Sequence, residues 1–487
     1  NSQMPVSLKH KTIGALSWSF FERAGQNGIQ FVIAIVLARL LAPAEFGLIA
    51  MLAIFMAVAQ SFIDSGFGSA LIQKQDASYT DECSIFYFNI LVGIVAAGIL
   101  CISAPWIAEF YNAPILAPLT RALSLNLVIN AFGLIQTSLL TKRIDFKLQL
   151  KVSIFATFFS GIIGILMAYK GFGVWSLVAQ SLSQNLFRTC LLWLVMSWRP
   201  SWTFSLKSLR TLFSFGSKLL FSGLLDVLFQ NIYLVVIGKL FSPADLGFYS
   251  RAKEFSQLPV HNLSSSIGRV TYPVFSSIQN DKNRLRNGVR KTLSMMAILT
   301  FPLMIGLIVV AKPLVIILIG DRWLPSVPYL QLLCIVGLLY PLHAINLNVL
   351  KAQGRSDLFL KLEVIKKINA LIAILVTYRW GITAMIIGQI VTSIIAYYLN
   401  SYFTEKLLNY PLSKQIKDVM PALIIASTMG IAIYGLVFAQ LSNNYILLIV
   451  QVILGAFIYL SLCYFAKVPA FIEILDMIKP RLVMLHR

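Results

Sequence analysis

Charge is scarce in this chain: Asp, Glu, Lys and Arg make up 12% of its 487 residues, against roughly 25% in soluble domains. Acidic residues are scarcer still, 19 against 40 Lys and Arg. The five cysteines, Cys83, Cys101, Cys190, Cys334 and Cys463, lie mostly inside apolar stretches with no C-x-x-C and no pairing pattern, and the four histidines are scattered. Neither disulfides nor a metal site are therefore expected. A strict glycine period, low hydrophobicity and abundant charge are also missing, which excludes collagen-like, disordered and coiled-coil chains. What the sequence does have is apolar surface: 58% hydrophobic residues and a mean hydropathy of +0.80. That is enough for about fourteen bilayer crossings at about 20 residues each.

The formal charge of +21 would point to nucleic acid in a soluble protein. Here most basic residues sit in short loops between apolar runs, so no nucleic-acid partner is expected. The runs fall at about 15–37, 47–63, 84–104, 119–140, 152–169, 173–196, 212–237, 248–272, 292–319, 328–350, 362–378, 381–402, 419–439 and 445–465. The first contains Glu22, Arg23 and Gln26 and is followed by no small-residue cleavage site, so it reads as a retained helix. Alternate loops differ sharply. One set carries Lys142, Arg143, Lys147, Lys282, Arg284, Arg286, Lys414 and Lys417 among many others, and the other only a few, such as Arg39, Lys239 and Arg322. By the positive-inside rule the basic set, with both termini, is cytoplasmic.

A stretch is duplicated 200 residues apart. Leu37-Ala-Arg-Leu-Leu-Ala-Pro-Ala-Glu-Phe-Gly47 returns as Ile237-Gly-Lys-Leu-Phe-Ser-Pro-Ala-Asp-Leu-Gly247. The expectation is an all-α polytopic membrane protein with two parallel six-helix repeats and two further helices. Its parts are an N-lobe (1–205, helices 1–6), a C-lobe (206–405, helices 7–12), and 406–487 with helices 13 and 14 and a cytoplasmic tail. Such repeats commonly enclose a midplane site. The Pro-Ala-Glu/Asp-x-Gly element by itself reads as a tight turn with an acidic helix start.

An ionised group inside the bilayer is costly unless it faces protein or water. The polar residues inside the runs form stripes with a spacing of four, which keeps them on one helix face. These are Glu22, Gln26 and Gln30 in helix 1, Gln180, Gln184 and Arg188 in helix 6, Lys218, Ser222, Asp226 and Gln230 in helix 7, and Gln389, Ser393 and Tyr397 in helix 12. Helix 8 adds Lys253, Gln257 and His261 on one face, with Arg251 one turn before Glu254. Two roles compete for each: lining a cavity, or ordinary helix-helix hydrogen bonds and snorkelling. Cations outnumber carboxylates inside the runs, which suits a phosphate-bearing ligand. The candidate phosphate ligands are Arg23, Arg188, Lys218, Arg251 and Lys253. Glu22, Gln26, Asp226, Gln180 and Gln184 are candidates for cavity polarity or ion coupling.

The architecture resembles the multidrug/oligosaccharidyl-lipid/polysaccharide flippase superfamily. Leu37-Ala-Arg-Leu-Leu with Phe46-Gly47, Asp64-Ser-Gly-Phe-Gly-Ser-Ala-Leu-Ile-Gln73, Pro273-Val-Phe-Ser-Ser-Ile-Gln-Asn-Asp281, Gly320-Asp-Arg-Trp323 and Leu330-Gln-Leu-Leu-Cys334 are similar to its Wzx-type lipopolysaccharide biosynthesis branch, which includes the colanic acid exporters. The resemblance implies an inner-membrane flippase that carries an undecaprenyl-diphosphate-linked oligosaccharide to the periplasmic leaflet and works beside polysaccharide polymerase and export machinery. It implies no cofactor, leaves proton or sodium coupling open, and transfers no catalytic residue. A drug/cation antiporter of the same superfamily would need an acidic cavity, and a non-transporting scaffold of an assembly complex is a further alternative. A polymerase or glycosyltransferase would need an acid, base or metal set, for which no outer loop is long enough.

Overall fold

A computed structural model of the chain describes residues 25, 28–64, 71, 77–143, 145–436 and 443–476. Among these residues it is helical, with no strand. The helices are α1 (Gly28–Leu40), α2 (Pro43–Asp64), α3 (Tyr79–Phe110), α4 (Leu116–Lys142), α5 (Phe146–Tyr169), α6 (Trp175–Val195) and α7 (Leu206–Leu240). Then come α8 (Pro243–Ser277), α9 (Lys282–Ile319), α10 (Ser326–Ala352), α11 (Ser356–Thr377), α12 (Gly381–Leu408), α13 (Leu412–Gly435) and α14 (Asn444–Phe465).

Their ends follow local chemistry. Ser78 and Asp81 form a reciprocal capping box at the start of α3. Asp145, Asp281 and Asn443 cap α5, α9 and α14 through their side chains. Gly381, at φ 91, lets the chain turn between α11 and α12.

Ten helical stretches among the described residues are long and apolar enough to cross a membrane, and one of them, Asp357–Leu408, contains both α11 and α12. Helices α6 and α8 are not among them, because of the polar residues noted above. Large apolar side chains face outward on many helices: Ile102 is 70% exposed, Ile431 75% and Phe457 68%. An apolar exterior of this extent would aggregate in water. The protein is a multi-pass membrane protein.

By contacts the chain divides into two units, Asn1–Gly247 and Phe248–Arg487. In the first, α3 packs on α4, α4 and α5 on α6, and α2 on α7. In the second, α9 packs on α10, α13 and α14, and α12 on α10 and α11.

The duplicated turn is built as its chemistry suggests, twice. The Glu45 carboxylate accepts from Ala42 N at 2.7 Å, and Asp245 accepts from Ser242 N and Oγ at 3.2 and 2.7 Å. Proline opens both helices, where its missing N–H costs nothing. The two copies also meet. A Cβ on Gly47 would fall 1.7 Å from the Pro243 carbonyl oxygen, and one on Gly247 would fall 2.0 Å from that of Pro43. Each glycine thus makes room for the other turn's backbone.

Candidate functional site

Within the first unit, α2, α4 and α6 line an open polar cavity of about 360 Å³. Helix α2 contributes Gln60 and Asp64, α4 contributes Asn130 and Thr137, and α6 contributes Asn185, Arg188 and Thr189. The residues from each helix are spaced to share one of its faces.

The walls are fixed by hydrogen bonds between helices. Asn185 Nδ2 donates to Asn126 Oδ1 at 2.8 Å, Asn126 Nδ2 to Ser181 Oγ at 3.0 Å, and Thr189 Oγ1 to the Ile129 carbonyl at 3.1 Å. Trp193 Nε1 closes the seam on the Phe132 carbonyl at 3.0 Å. Gly133 permits this approach, since a Cβ there would stand 2.9 Å from Thr189 Oγ1. On the opposite wall Asn130 Nδ2 donates to Gln60 Oε1 at 3.3 Å, and Gln60 Nε2 to Asp64 Oδ1 at 3.0 Å. Arg188 and Asp64 line this same cavity. The cavity therefore offers a guanidinium, a carboxylate held by an amide chain, and several neutral donors and acceptors. This is a set that can bind an anionic, hydroxyl-rich ligand.

The structure distributes the sequence candidates unequally. Arg188 lines the cavity. Its stripe partners turn toward α5: Gln184 Nε2 donates to Thr157 Oγ1 at 3.1 Å, and Gln180 packs against Gly164. Asp226 is exposed on α7. Arg251 and Lys253 lie on α8 in the second unit, where Arg251 pairs with Glu254 at 2.5 Å. Glu22, Arg23 and Gln26 lie outside the described residues, as does the side chain of Lys218. The helix 12 stripe is engaged in packing. Gln389 Nε2 donates to Tyr249 OH at 2.9 Å, Ser393 meets His343 at 3.1 Å, and Tyr397 OH donates to Gln415 at 3.0 Å.

Sequence reasoning missed Gln60, Asp64, Asn130, Asn185 and Thr189. The signal was present as three polar pairs four apart, Gln60/Asp64, Asn126/Asn130 and Asn185/Thr189. Asp64 also opens the motif that runs to Gln73, which draws attention away from its pairing with Gln60 one turn earlier.

Residues 36–328 match the family described as "Polysaccharide biosynthesis protein". The chain belongs to this family. Among polysaccharide biosynthesis proteins it is 30% identical to the teichuronic acid biosynthesis protein TuaB of Bacillus subtilis (strain 168), over 77% of this chain and 79% of that one. It is 28% identical to the lipopolysaccharide biosynthesis protein WzxC of Escherichia coli (strain K12), over 88% of this chain and 90% of that one. Among solved structures, lipid II flippase MurJ in an inward closed conformation superposes with a TM-score of 0.73, covering 93% of this chain and 99% of that one at 14% identity. A multidrug resistance transporter of the MATE family, inward-facing, gives 0.61 at 14% identity, covering 81% of this chain and 98% of that one. At such identities the likeness is one of fold. This polysaccharide biosynthesis protein thus shares its polytopic helical fold with these two structures.

Proposed function

We propose that this protein is a flippase that moves an undecaprenyl-diphosphate-linked oligosaccharide from the cytoplasmic to the periplasmic leaflet of a bacterial inner membrane. In this reading both termini are cytoplasmic and fourteen helices cross the bilayer. Helices 1–6 and 7–12 act as parallel repeats, an N-lobe over 1–205 and a C-lobe over 206–405, that rock in alternating access. The relatives named for teichuronic acid and lipopolysaccharide biosynthesis support a glycan cargo. The lipid II flippase that shares the fold supports a lipid-linked one.

The observation that carries the proposal is Arg188 in a cavity of amides and hydroxyls inside an apolar bundle. A diphosphate crossing the bilayer loses its hydration at prohibitive cost, and a guanidinium can replace that hydration with paired N–H donors. The sequence offers Arg23, Lys218, Arg251 and Lys253 as further candidate cations for the phosphate. Asp64 is the resting partner of Arg188, exchanged for the diphosphate when the substrate binds. Polar side chains such as Asn130 and Asn185 meet sugar hydroxyls. The fold is shared with a multidrug transporter, but the relatives named for teichuronic acid and lipopolysaccharide biosynthesis favour a glycan cargo.

Export by Arg188→Gln in a strain lacking the native flippase tests this reading. Membrane abundance should match wild type while glycan export falls at least about tenfold, the scale of one charge-assisted hydrogen bond at ~1.5–3 kcal/mol. Arg188→Lys should recover only part, because a planar fork becomes a point charge. Full export by Arg188→Gln at normal abundance would overturn the assignment. Accumulation of the lipid-linked glycan in the inner leaflet distinguishes transport from a scaffolding role.

A further inference from the structure

A second basic site lies in the other unit. Two adjoining cavities of about 390 and 360 Å³ both take Arg290, Lys417 and Asp418 into their walls. They lie at the N-terminal ends of α9 and α13, beside the segment that follows α14. Arg290 holds Asp418 in a two-pronged pair, Nε to Oδ2 and Nη2 to Oδ1, both at 2.7 Å. Tyr410 OH donates to the same carboxylate at 2.6 Å. Lys291 is paired with Glu473 at 2.8 Å. Both carboxylates lining the site are thus already engaged. Arg286, Lys414 and Lys417 also line it and have no carboxylate within pairing distance among the described residues. The cluster carries five cations against two anions.

The floor is different. The buried side chains of Ile298, Ala422 and Val468 make up its apolar part. On the outer face of α13, Ile416, Met420 and Ile424 follow at steps of four from beside Lys417, with exposures of 39%, 37% and 57%. A cationic rim continuing into an apolar exposed stripe has the form of an amphiphile's partner: phosphate at the rim, hydrocarbon along the helix. A free inorganic phosphate would make no use of the stripe.

We propose that this cluster binds the phosphate of an anionic membrane lipid, apart from the cavity of the first unit. On the orientation proposed above it faces the cytoplasmic leaflet. Binding itself can be read in detergent regardless of orientation and of whether the protein is a flippase. The ligand chemistry, a phosphate ester on a long hydrocarbon, is common to anionic phospholipids and to polyprenyl phosphates.

The test is native mass spectrometry of the full chain after incubation with phosphatidylglycerol, phosphatidylcholine, undecaprenyl phosphate or inorganic phosphate. The variant Arg286→Gln/Lys414→Gln/Lys417→Gln leaves the Arg290–Asp418 pair intact. The variant Lys151→Gln/Arg210→Gln/Lys361→Gln removes the same charge from exposed sites elsewhere. Wild type and the second variant should retain an anionic lipid in preference to phosphatidylcholine. The first should lose that preference by about a hundredfold, since each basic side chain near an anionic headgroup is worth roughly fivefold. Which anionic lipid shows the loss identifies the source of the phosphate. Equal retention of zwitterionic and anionic lipid by wild type, equal losses in both variants, or inorganic phosphate binding as tightly as the lipids would each overturn the proposal.

Discussion

Arg188 and Asp64 show how much a side chain's role depends on what faces it. Both lie within apolar runs or at their ends, yet they share one cavity because α2 and α6 approach the same face of α4. A carboxylate in such a cavity is also the natural carrier of a coupling ion, a role the sequence suggested for Glu22 and Asp226. If protons or sodium drive the cycle, Asp64→Asn should flatten the pH or sodium dependence of transport in vesicles while Asp226→Asn, outside the lining of that cavity, leaves it unchanged. A wild-type profile from Asp64→Asn would confine that residue to pairing with Arg188.

At the scale of helices, the stripes were legible but their destinations were not. Spacing by four identifies a face; it does not say whether that face meets another helix, a cavity or lipid. Gln180, Gln184 and Arg188 share a face, yet the glutamines meet α5 and only the arginine reaches the cavity. The ends of the elements were far more readable, because caps and turns are decided by neighbours in sequence. The network at Gln415 was invisible for the opposite reason. This fully buried residue on α13 accepts from Asn346, Tyr397 and Ser401, and so joins α13 to α10 and α12. Buried amides of this kind leave several donors unsatisfied when removed, with hydrogen bonds between membrane helices worth about 0.6 kcal/mol on average. Gln415→Leu should therefore lower stability by about 2 kcal/mol, read as an earlier thermal midpoint in fluorescence-detected size exclusion. An unchanged midpoint would mean that the network is not holding these helices.

For the whole molecule, hydropathy carried most of the helical architecture, since the bilayer leaves few alternatives to helices. Topology can be tested in a background with the five native cysteines replaced, Cys190 being exposed. Single cysteines at Asn112 and Arg322, both exposed, should react with an impermeant thiol reagent in intact cells, while one at Arg286 should react only after lysis. Trp323 marks the same loop as Arg322 but is fully buried, so it would be a misleading reporter. Labelling of position 286 in intact cells with silence at 112 and 322 would invert the orientation.

The reciprocal fit of Gly47 on Pro243 and Gly247 on Pro43 bears on how the sequence can change over time. Neither turn is free to drift alone, because a side chain gained in one copy collides with the main chain of the other, which no compensating side-chain change can move aside. The duplicated segments are in this sense heritable as a pair. Libraries that shuffle one half of such a protein against the other half of a relative should recover functional chimaeras only where both parents keep a glycine at each of these two places.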